Sequence, residues 1–89
     1  MKTYIISYWF RDNTINYMDF YDAIKSNYPK YQHMLEDSWL IRTDETADEI
    51  VSKLREKLPL SASIFVAEIT DNYQGWVGKG VWEWLKKLD

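Results

Sequence analysis

The first and the last strand-like segments of this sequence both carry apolar side chains on their two faces. Residues 2 to 10 alternate tyrosine, isoleucine and phenylalanine with β-branched and aromatic residues. Residues 61 to 70 do the same with isoleucine, valine and phenylalanine. Strands of this kind need cover on both faces of their sheet. The chain must therefore supply, or recruit, apolar surface for two sheet faces.

Helical periodicity appears twice between these two segments. From about Asn16 to Pro29 the apolar residues recur at helical spacing, and Asn16 is placed to cap the amide three residues on. A second helix begins at Thr46, which forms a capping box with Glu49, and Pro59 ends it. Both segments therefore have a start signal and a stop signal.

Two short strand-like runs lie between the helices, and a tail follows the last strand. Residues 30 to 37 and 39 to 42 predict a hairpin, whose first strand has the weaker pattern. The tail, about residues 71–89, begins with an Asp71-Asn72 turn and ends in a helix from about Gly80. The apolar face of that helix is predicted to contain Val81, Trp84, Leu85 and Leu88.

This order predicts an α+β fold of the ferredoxin-like βαββαβ type with an added C-terminal helix. Right-handed crossovers in two strand–helix–strand halves give a four-stranded antiparallel sheet with the two main helices on one face. Residues 1–89 would then form a single domain. Two helices leave the second face open, so the C-terminal tail, a second subunit, or both must close it.

Composition limits the chemistry that the chain can perform. The sequence has no cysteine and one histidine, His33, so a metal site would need carboxylate oxygens. A formal net charge of -3 does not favour a polyanion. A local basic patch is weakly indicated by Lys53, Arg55, Lys57, Lys86 and Lys87. No segment has the length of a membrane span, which predicts a cytoplasmic protein that does not contact membranes.

The end of the first strand is the first candidate binding site. Aromatic residues make up 17% of the chain, so we expect some rings at the surface to serve a partner, a ligand or a second copy. Trp9 and Arg11 could stack on a base or hold a phosphate. In the alternative that we favour, Trp9 packs under the tail and Arg11 is solvated, because large rings in small domains usually belong to the core.

The aromatic residues of the tail form the second candidate site. They are Tyr73, Trp76, Trp82 and Trp84, with Lys79 among three glycines near the start of the terminal helix. The rings could stack on nucleotides, and the glycines could form an anion-binding nest. Their spacing matches neither a P-loop nor a dinucleotide fingerprint. In the alternative that we favour, the tail folds back and its tryptophans seal the open sheet face or a dimer interface.

Three segments of the chain resemble a family of small bacterial and phage proteins, the SinR-like proteins. They are MKTYIISY at residues 1–8, DSWLIRTDETADEI at 37–50 and FVAEITDNYQGWVGKGVWEWL at 65–85. This family is distantly related to the small CRISPR adaptation subunit and to the VapD toxins. The resemblance covers most of the chain and is most specific in the third segment. It implies a ferredoxin-like homodimer in a phage or mobile-element setting.

The same resemblance bears on catalysis. In the CRISPR adaptation subunit and the VapD-like nucleases, the first strand commonly ends in a tyrosine-aspartate pair whose aspartate is the proposed metal ligand. Tyr8 matches the tyrosine, but Trp9 follows it, and an indole cannot bind a hard magnesium ion. Asp12 is the remaining catalytic candidate, with a plain turn aspartate as the simpler interpretation.

We consider three classes of function. The first choice is a non-enzymatic, homodimeric binding module that needs no cofactor and engages a protein complex or a nucleic acid. One alternative is a divalent-metal-dependent nuclease that uses Asp12 with magnesium or manganese. The other is a binder of a nucleotide or another small ligand at the dimer boundary. His33 lacks a partner at a recognisable spacing, which disfavours a role as general base.

Overall fold

A computed structural model describes residues 1–11 and 16–87. The strands are β1 (Lys2–Trp9), β2 (Tyr31–Leu35), β3 (Ser38–Thr43) and β4 (Ser63–Ile69). The helices are α1 (Tyr17–Asn27), α2 (Ala47–Arg55) and α3 (Lys79–Lys86). None of the helices in these ranges is long and apolar enough to cross a membrane.

The strands form one antiparallel sheet in the order β2-β3-β1-β4. Helices α1 and α2 both pack on one face of it, which we call the helix face. This arrangement confirms the α+β, ferredoxin-like prediction with an added C-terminal helix. β4 begins two residues later than predicted, because a turn in which the amide of Ala62 donates to the carbonyl of Pro59 at 3.0 Å precedes it.

The helix starts follow the capping residues read from the sequence. The amide of Glu49 donates to Thr46 Oγ1 at 3.2 Å, and the amide of Thr46 donates to Glu49 Oε1 at 2.9 Å, which confirms the capping box. Asn16 caps α1, but its side chain accepts from Met18 and not from the amide three residues on. That amide, of Asp19, already donates to the main-chain carbonyl of Asn16 at 3.2 Å.

The larger core lies between the helix face and the helices. Alternate residues of β1 point into it, as the period of two predicts. Its buried members include Tyr4, Ile6, Tyr8, Phe10, Phe20, Ile24, Trp39, Ile41, Ile50 and Leu54. Each such aliphatic side chain contributes about 1.5–3 kcal/mol when it leaves water. This core accounts for the apolar face of both main helices.

A smaller core lies on the second face of the sheet, beneath the tail. Leu40 from β3 is buried there with Val81 and Trp84 from α3. Their neighbours are Ile5, Met34, Ile69, Val77 and Leu85. The prediction that the tail packs on the second face is therefore confirmed for this part of the sheet. Leu88, which was expected to join the same apolar face, lies outside the described residues.

Arg42 fastens the end of α3 to the sheet. Its Nη2 atom donates to the carbonyl of Trp84 at 3.1 Å and to that of Leu85 at 3.2 Å. Its guanidinium carbon also lies 4.0 Å from the centroid of the Trp84 ring. Carbonyl groups in the last turn of a helix need donors, and a cation is favoured there. One side chain of β3 thus binds both the ring and the backbone of α3.

The tail covers only part of the second face. In the register of β1 and β4, Trp9 lies opposite Ser63 and Ser7 lies opposite Phe65. Trp9 is 57% exposed and Phe65 is 68% exposed, so the prediction that Trp9 packs under the tail is wrong. A helix of eight residues is about 12 Å long. It covers the end of the sheet that carries Ile5, and the end that carries Trp9 stays open.

Glu45 links the two main helices outside the core. Tyr28 Oη donates to Glu45 Oε1 at 2.8 Å, and Lys53 forms an ion pair with the other carboxylate oxygen. The hydrogen bond from Lys53 lowers the pKa of Glu45, burial opposes this shift, and the bond from Tyr28 supports it. Burial raises the pKa of Tyr28, so its hydroxyl remains a donor.

We expect Glu45→Gln to lower the free energy of unfolding by about 1 kcal/mol at pH 7, because it removes the ion pair with Lys53. Glu56→Gln changes the charge by the same amount at an exposed position, and it should change the free energy of unfolding by less than about 0.5 kcal/mol. The contribution of Glu45 is complete above the usual glutamate pKa of about 4.3 and is lost as the pH falls through its lower folded-state value. Urea unfolding of the wild type and both variants at pH 7 and at pH 2 measures the loss of stability and its dependence on pH. If the wild type and Glu45→Gln differed in stability as much at pH 2 as at pH 7, the assignment of the effect to the Glu45 carboxylate would be wrong.

Candidate functional site

The open end of the second sheet face carries an exposed aromatic surface. We call it the open-face patch and define it as Ser7, Trp9, Arg11, Ser63 and Phe65. The guanidinium carbon of Arg11 lies 5.2 Å from the centroid of the Trp9 ring, within cation–π range. Trp9 and Phe65 are diagonal neighbours across β1 and β4, a spacing of about 7–8 Å between backbones. The structure therefore brings Trp9 and Arg11 together, with Phe65 beside them.

Phe65 was not among the residues selected from the sequence. The alternation in the last strand assigns it to the same face as Ala67 and Ile69, and Ile69 belongs to the small core. Nothing local in the sequence marks where the cover of that core stops. The signal that could have found Phe65 is the shortness of the terminal helix relative to the sheet it must cover.

The two edges of the sheet differ. β4 pairs regularly with β1 over seven positions, contains no lysine, proline or bulge, and has Glu68 as its one charged residue. Its outer edge pairs with no strand in the described part of the chain. β2, at the opposite edge, has five residues and a register shift between His33 and Leu35, as its weaker sequence pattern suggested. The β4 edge is thus the one suited to strand pairing.

A concave surface lies at the same end of β1, and we call it the aromatic cleft. It has a volume of about 450 Å³. Its lining consists of Tyr8, Trp9, Phe10, Tyr17, Tyr21, Glu36 and Asp37. The rings of Phe10 and Tyr17 are 4.8 Å apart between centroids, and those of Tyr17 and Tyr21 are 6.1 Å apart. Aromatic side chains and two carboxylates therefore share one concave surface.

Tyr8 fixes the turn that carries these carboxylates. Its hydroxyl accepts from Trp39 Nε1 at 3.0 Å and donates to the carbonyl of Glu36 at 3.0 Å. Its amide donates to the carbonyl of Asp37 at 3.1 Å. Burial raises the pKa of Tyr8 far above its usual value, and a hydrogen bond with Tyr21 acts in the same direction. The hydroxyl therefore stays protonated and continues to donate to the turn.

The tail residues selected from the sequence do not form one platform. Tyr73 and Trp82 lie nearly parallel, with an interplanar angle of 19° and centroids 6.4 Å apart. Trp76 is 101% exposed, whereas Trp84 is buried in the small core. Lys79 Nζ lies 3.8 Å from Glu83 Oε1, one helical turn along α3. The structure thus brings Tyr73 and Trp82 together, whereas Trp76 is fully exposed and Lys79 pairs with Glu83.

The glycines of the tail do not adopt the conformation of an anion nest. A nest alternates right-handed and left-handed residues. No glycine within the described residues has a positive φ, and a Cβ built on Gly75, Gly78 or Gly80 would meet no atom within 4 Å. The nest considered from the sequence is therefore absent at these positions. The backbone conformation and the surrounding space would both accept a larger residue there.

Asp12 and His33 are the two residues considered for catalysis from the sequence. Asp12 lies outside them. Within residues 1–11 and 16–87, no group of three or more histidine, aspartate and glutamate side chains could hold a metal ion. His33 stacks on Trp39, with centroids 4.2 Å apart and an interplanar angle of 11°, and it meets the edge of Tyr21 at 5.1 Å. These contacts give His33 a packing role on the helix face.

Comparison of the chain with protein-family models, curated proteins and solved structures finds no match. The resemblance to the SinR-like proteins therefore stays a prediction. The features of the molecule that bear on function are the open-face patch, the β4 edge and the aromatic cleft.

Proposed function

We propose that this protein is a non-enzymatic binding module that acts as a homodimer and engages a partner protein. The observation that carries the proposal is the exposure of Trp9 and Phe65 together on a sheet face, beside the open edge of β4. Large exposed rings on one surface mark interaction sites, and tryptophan is enriched among the residues that dominate binding energy.

A second copy of the chain suits this surface. Two copies related by a two-fold axis would present the same patch to each other, as closed dimers require. Pairing of β4 with β4 would satisfy backbone groups at the edge, and it would bring the Phe65 side chains of the two copies onto one face of a continuous sheet, beside the new seam. Backbone pairing and apolar contact therefore support the same geometry.

The charge of the chain favours a protein over a nucleic acid as the partner that the homodimer engages. The chain has a formal net charge of -3, and Arg11 is the one cation that defines the open-face patch. Nucleic-acid affinity depends chiefly on several lysine or arginine contacts with phosphates. A partner protein with basic side chains would instead be attracted by the overall charge.

The dimer is tested by substituting Phe65. We expect wild-type protein to be dimeric by light scattering across a dilution series. Phe65→Glu should raise the dimer dissociation constant by at least about 30-fold, because it places a charge at the centre of an apolar interface. Circular dichroism should show an unchanged fold, since Phe65 is exposed.

Leu60→Glu provides the matched control, because Leu60 is 90% exposed but lies before β4. It should leave the dissociation constant unchanged. A monomeric wild-type protein, or a Phe65→Glu variant that dimerises normally, would refute the homodimer. Loss of the dimer in Trp76→Ala, with Phe65→Glu unaffected, would place the interface on the tail instead.

Single-stranded nucleic acid is the second candidate partner, and one observation favours it. Arg11 lies over Trp9 on an open sheet face, where a base can stack and a phosphate can pair. Retardation of a single-stranded oligonucleotide that weakens steeply with added salt, and is lost in Trp9→Ala, would support this candidate over a protein.

A further inference from the structure

The aromatic cleft combines two kinds of group that recognise the same ligand chemistry. Aromatic faces attract cations through their quadrupole, and carboxylates attract them through charge. Tyr17 and Tyr21 stand on one wall, from α1, and Glu36 and Asp37 stand at the turn between β2 and β3. Within the described ranges, no lysine or arginine lines the cleft. Its chemistry is therefore that of a site for a positive charge.

Both carboxylates are available for a ligand. Glu36 and Asp37 are exposed, and neither has an ion-pair partner in the part of the chain that the structure describes. The turn that carries them is nevertheless held in place, because Tyr8 donates to the carbonyls of both residues. Binding of a ligand here would therefore cost little conformational entropy at the turn.

We propose that the aromatic cleft binds a lysine or arginine side chain from a basic segment of a partner protein. This inference rests on the proposed function, since it names the partner chemistry of the binding module. The aliphatic stem would contact the rings of Tyr17 and Tyr21, and the charged end would reach the carboxylates. A volume of about 450 Å³ falls within the range of small-molecule sites, about 300–1,000 Å³.

Other occupants fit the cleft less well. A phosphate or a nucleotide would meet two carboxylates of the same charge sign, Glu36 and Asp37. A purely apolar segment would cover the same carboxylates without pairing them, which is unfavourable. The negative charge of Glu36 and Asp37 therefore favours a cation over the other ligands that an aromatic cleft can accept.

The test uses the full chain labelled with ¹⁵N, and hexalysine as the probe. Amide shifts are expected to saturate at Tyr8 to Phe10, Tyr17, Tyr21, Glu36 and Asp37. Hexalysine with every side chain acetylated has no side-chain charge and should bind at least about tenfold more weakly. Equal affinity for the two peptides, or shifts confined to other surfaces, would overturn the proposal. So would saturable shifts at the same residues with magnesium chloride alone, which would assign the carboxylates to a metal ion.

Paired variants separate a specific site from general charge attraction. Glu36→Gln with Asp37→Asn should weaken hexalysine binding at least about tenfold. Asp48→Asn with Glu56→Gln removes the same charge from exposed positions on and beside α2 and should leave affinity within about twofold. Equal losses in the two double variants would show that the attraction is non-specific and refute the cleft as the site.

Light scattering on the same samples keeps the two proposals apart. Phe65→Glu is expected to be monomeric and still to bind hexalysine, because Phe65 does not line the cleft. A monomeric wild-type protein with localised hexalysine binding would refute the homodimer and support the cleft. A dimeric wild-type protein without localised hexalysine binding would support the homodimer and refute the cleft.

Discussion

Trp84→Ala is expected to detach the C-terminal tail from the sheet and to lower the free energy of unfolding by about 3–5 kcal/mol. The ring is buried in the small core with Leu40 and Val81, and Arg42 stacks on it while binding the last carbonyls of α3. Alanine removes the apolar contact and the ring on which the Arg42 guanidinium stacks. Small domains have about 5–15 kcal/mol of stability in total, so this is a large fraction.

Urea unfolding with Trp76→Ala as the matched control measures this effect. Trp76 lies in the same tail but is fully exposed, so its removal should change stability by less than about 0.5 kcal/mol. Amide exchange should show lost protection in α3 for Trp84→Ala, with α1 and α2 still protected. If the two alanine variants had equal stability, the small core would not hold the tail.

Trp39→Ala is expected to lower the free energy of unfolding by a similar amount, about 3–5 kcal/mol. Trp39 is fully buried in the larger core, where His33 stacks on its ring. Its Nε1 atom is also the donor to Tyr8 Oη. The alanine variant leaves a cavity and removes that donor, so the Glu36–Asp37 turn should lose part of its support as well.

Trp9→Ala is the matched comparison for Trp39→Ala, because it removes the same ring from the adjacent strand β1. Trp9 is exposed, and its loss should change stability by less than about 0.5 kcal/mol while weakening the dimer. Thermal unfolding and light scattering on both variants give the comparison. Equal losses of stability would mean that Trp9 is part of the core and would remove the main support for the open-face patch.

Much of the fold was predictable because its signals are local. The capping box of Thr46 and Glu49 lies within four residues, and the period of two in β1 lies within one strand. The need to cover a second sheet face also follows from β1, since Ile5 and Trp9 both point away from the helices. That requirement correctly indicated that the tail would pack on the sheet.

The candidate site was less predictable because it depends on contacts between distant segments. Whether Trp9 is covered depends on the length and position of α3, about 70 residues later in the chain. The hydrogen bond from the Tyr8 amide to the carbonyl of Asp37 connects β1 to the turn between β2 and β3, and no sequence periodicity predicts it. Phe65 follows the same alternation as Ala67 and Ile69, which are partly buried on the same face of the sheet. Each of these features appears only when the sheet register is known.

The difference between the two sheet edges limits how large an assembly can grow. Pairing along β4 would use the open edge of both copies and leave a β2 strand at each end, with three strands from each copy between them. The register shift in β2 makes those ends poor templates for another strand. A chain with two regular edges could add copies without end and form fibres, whereas this one should stop at two.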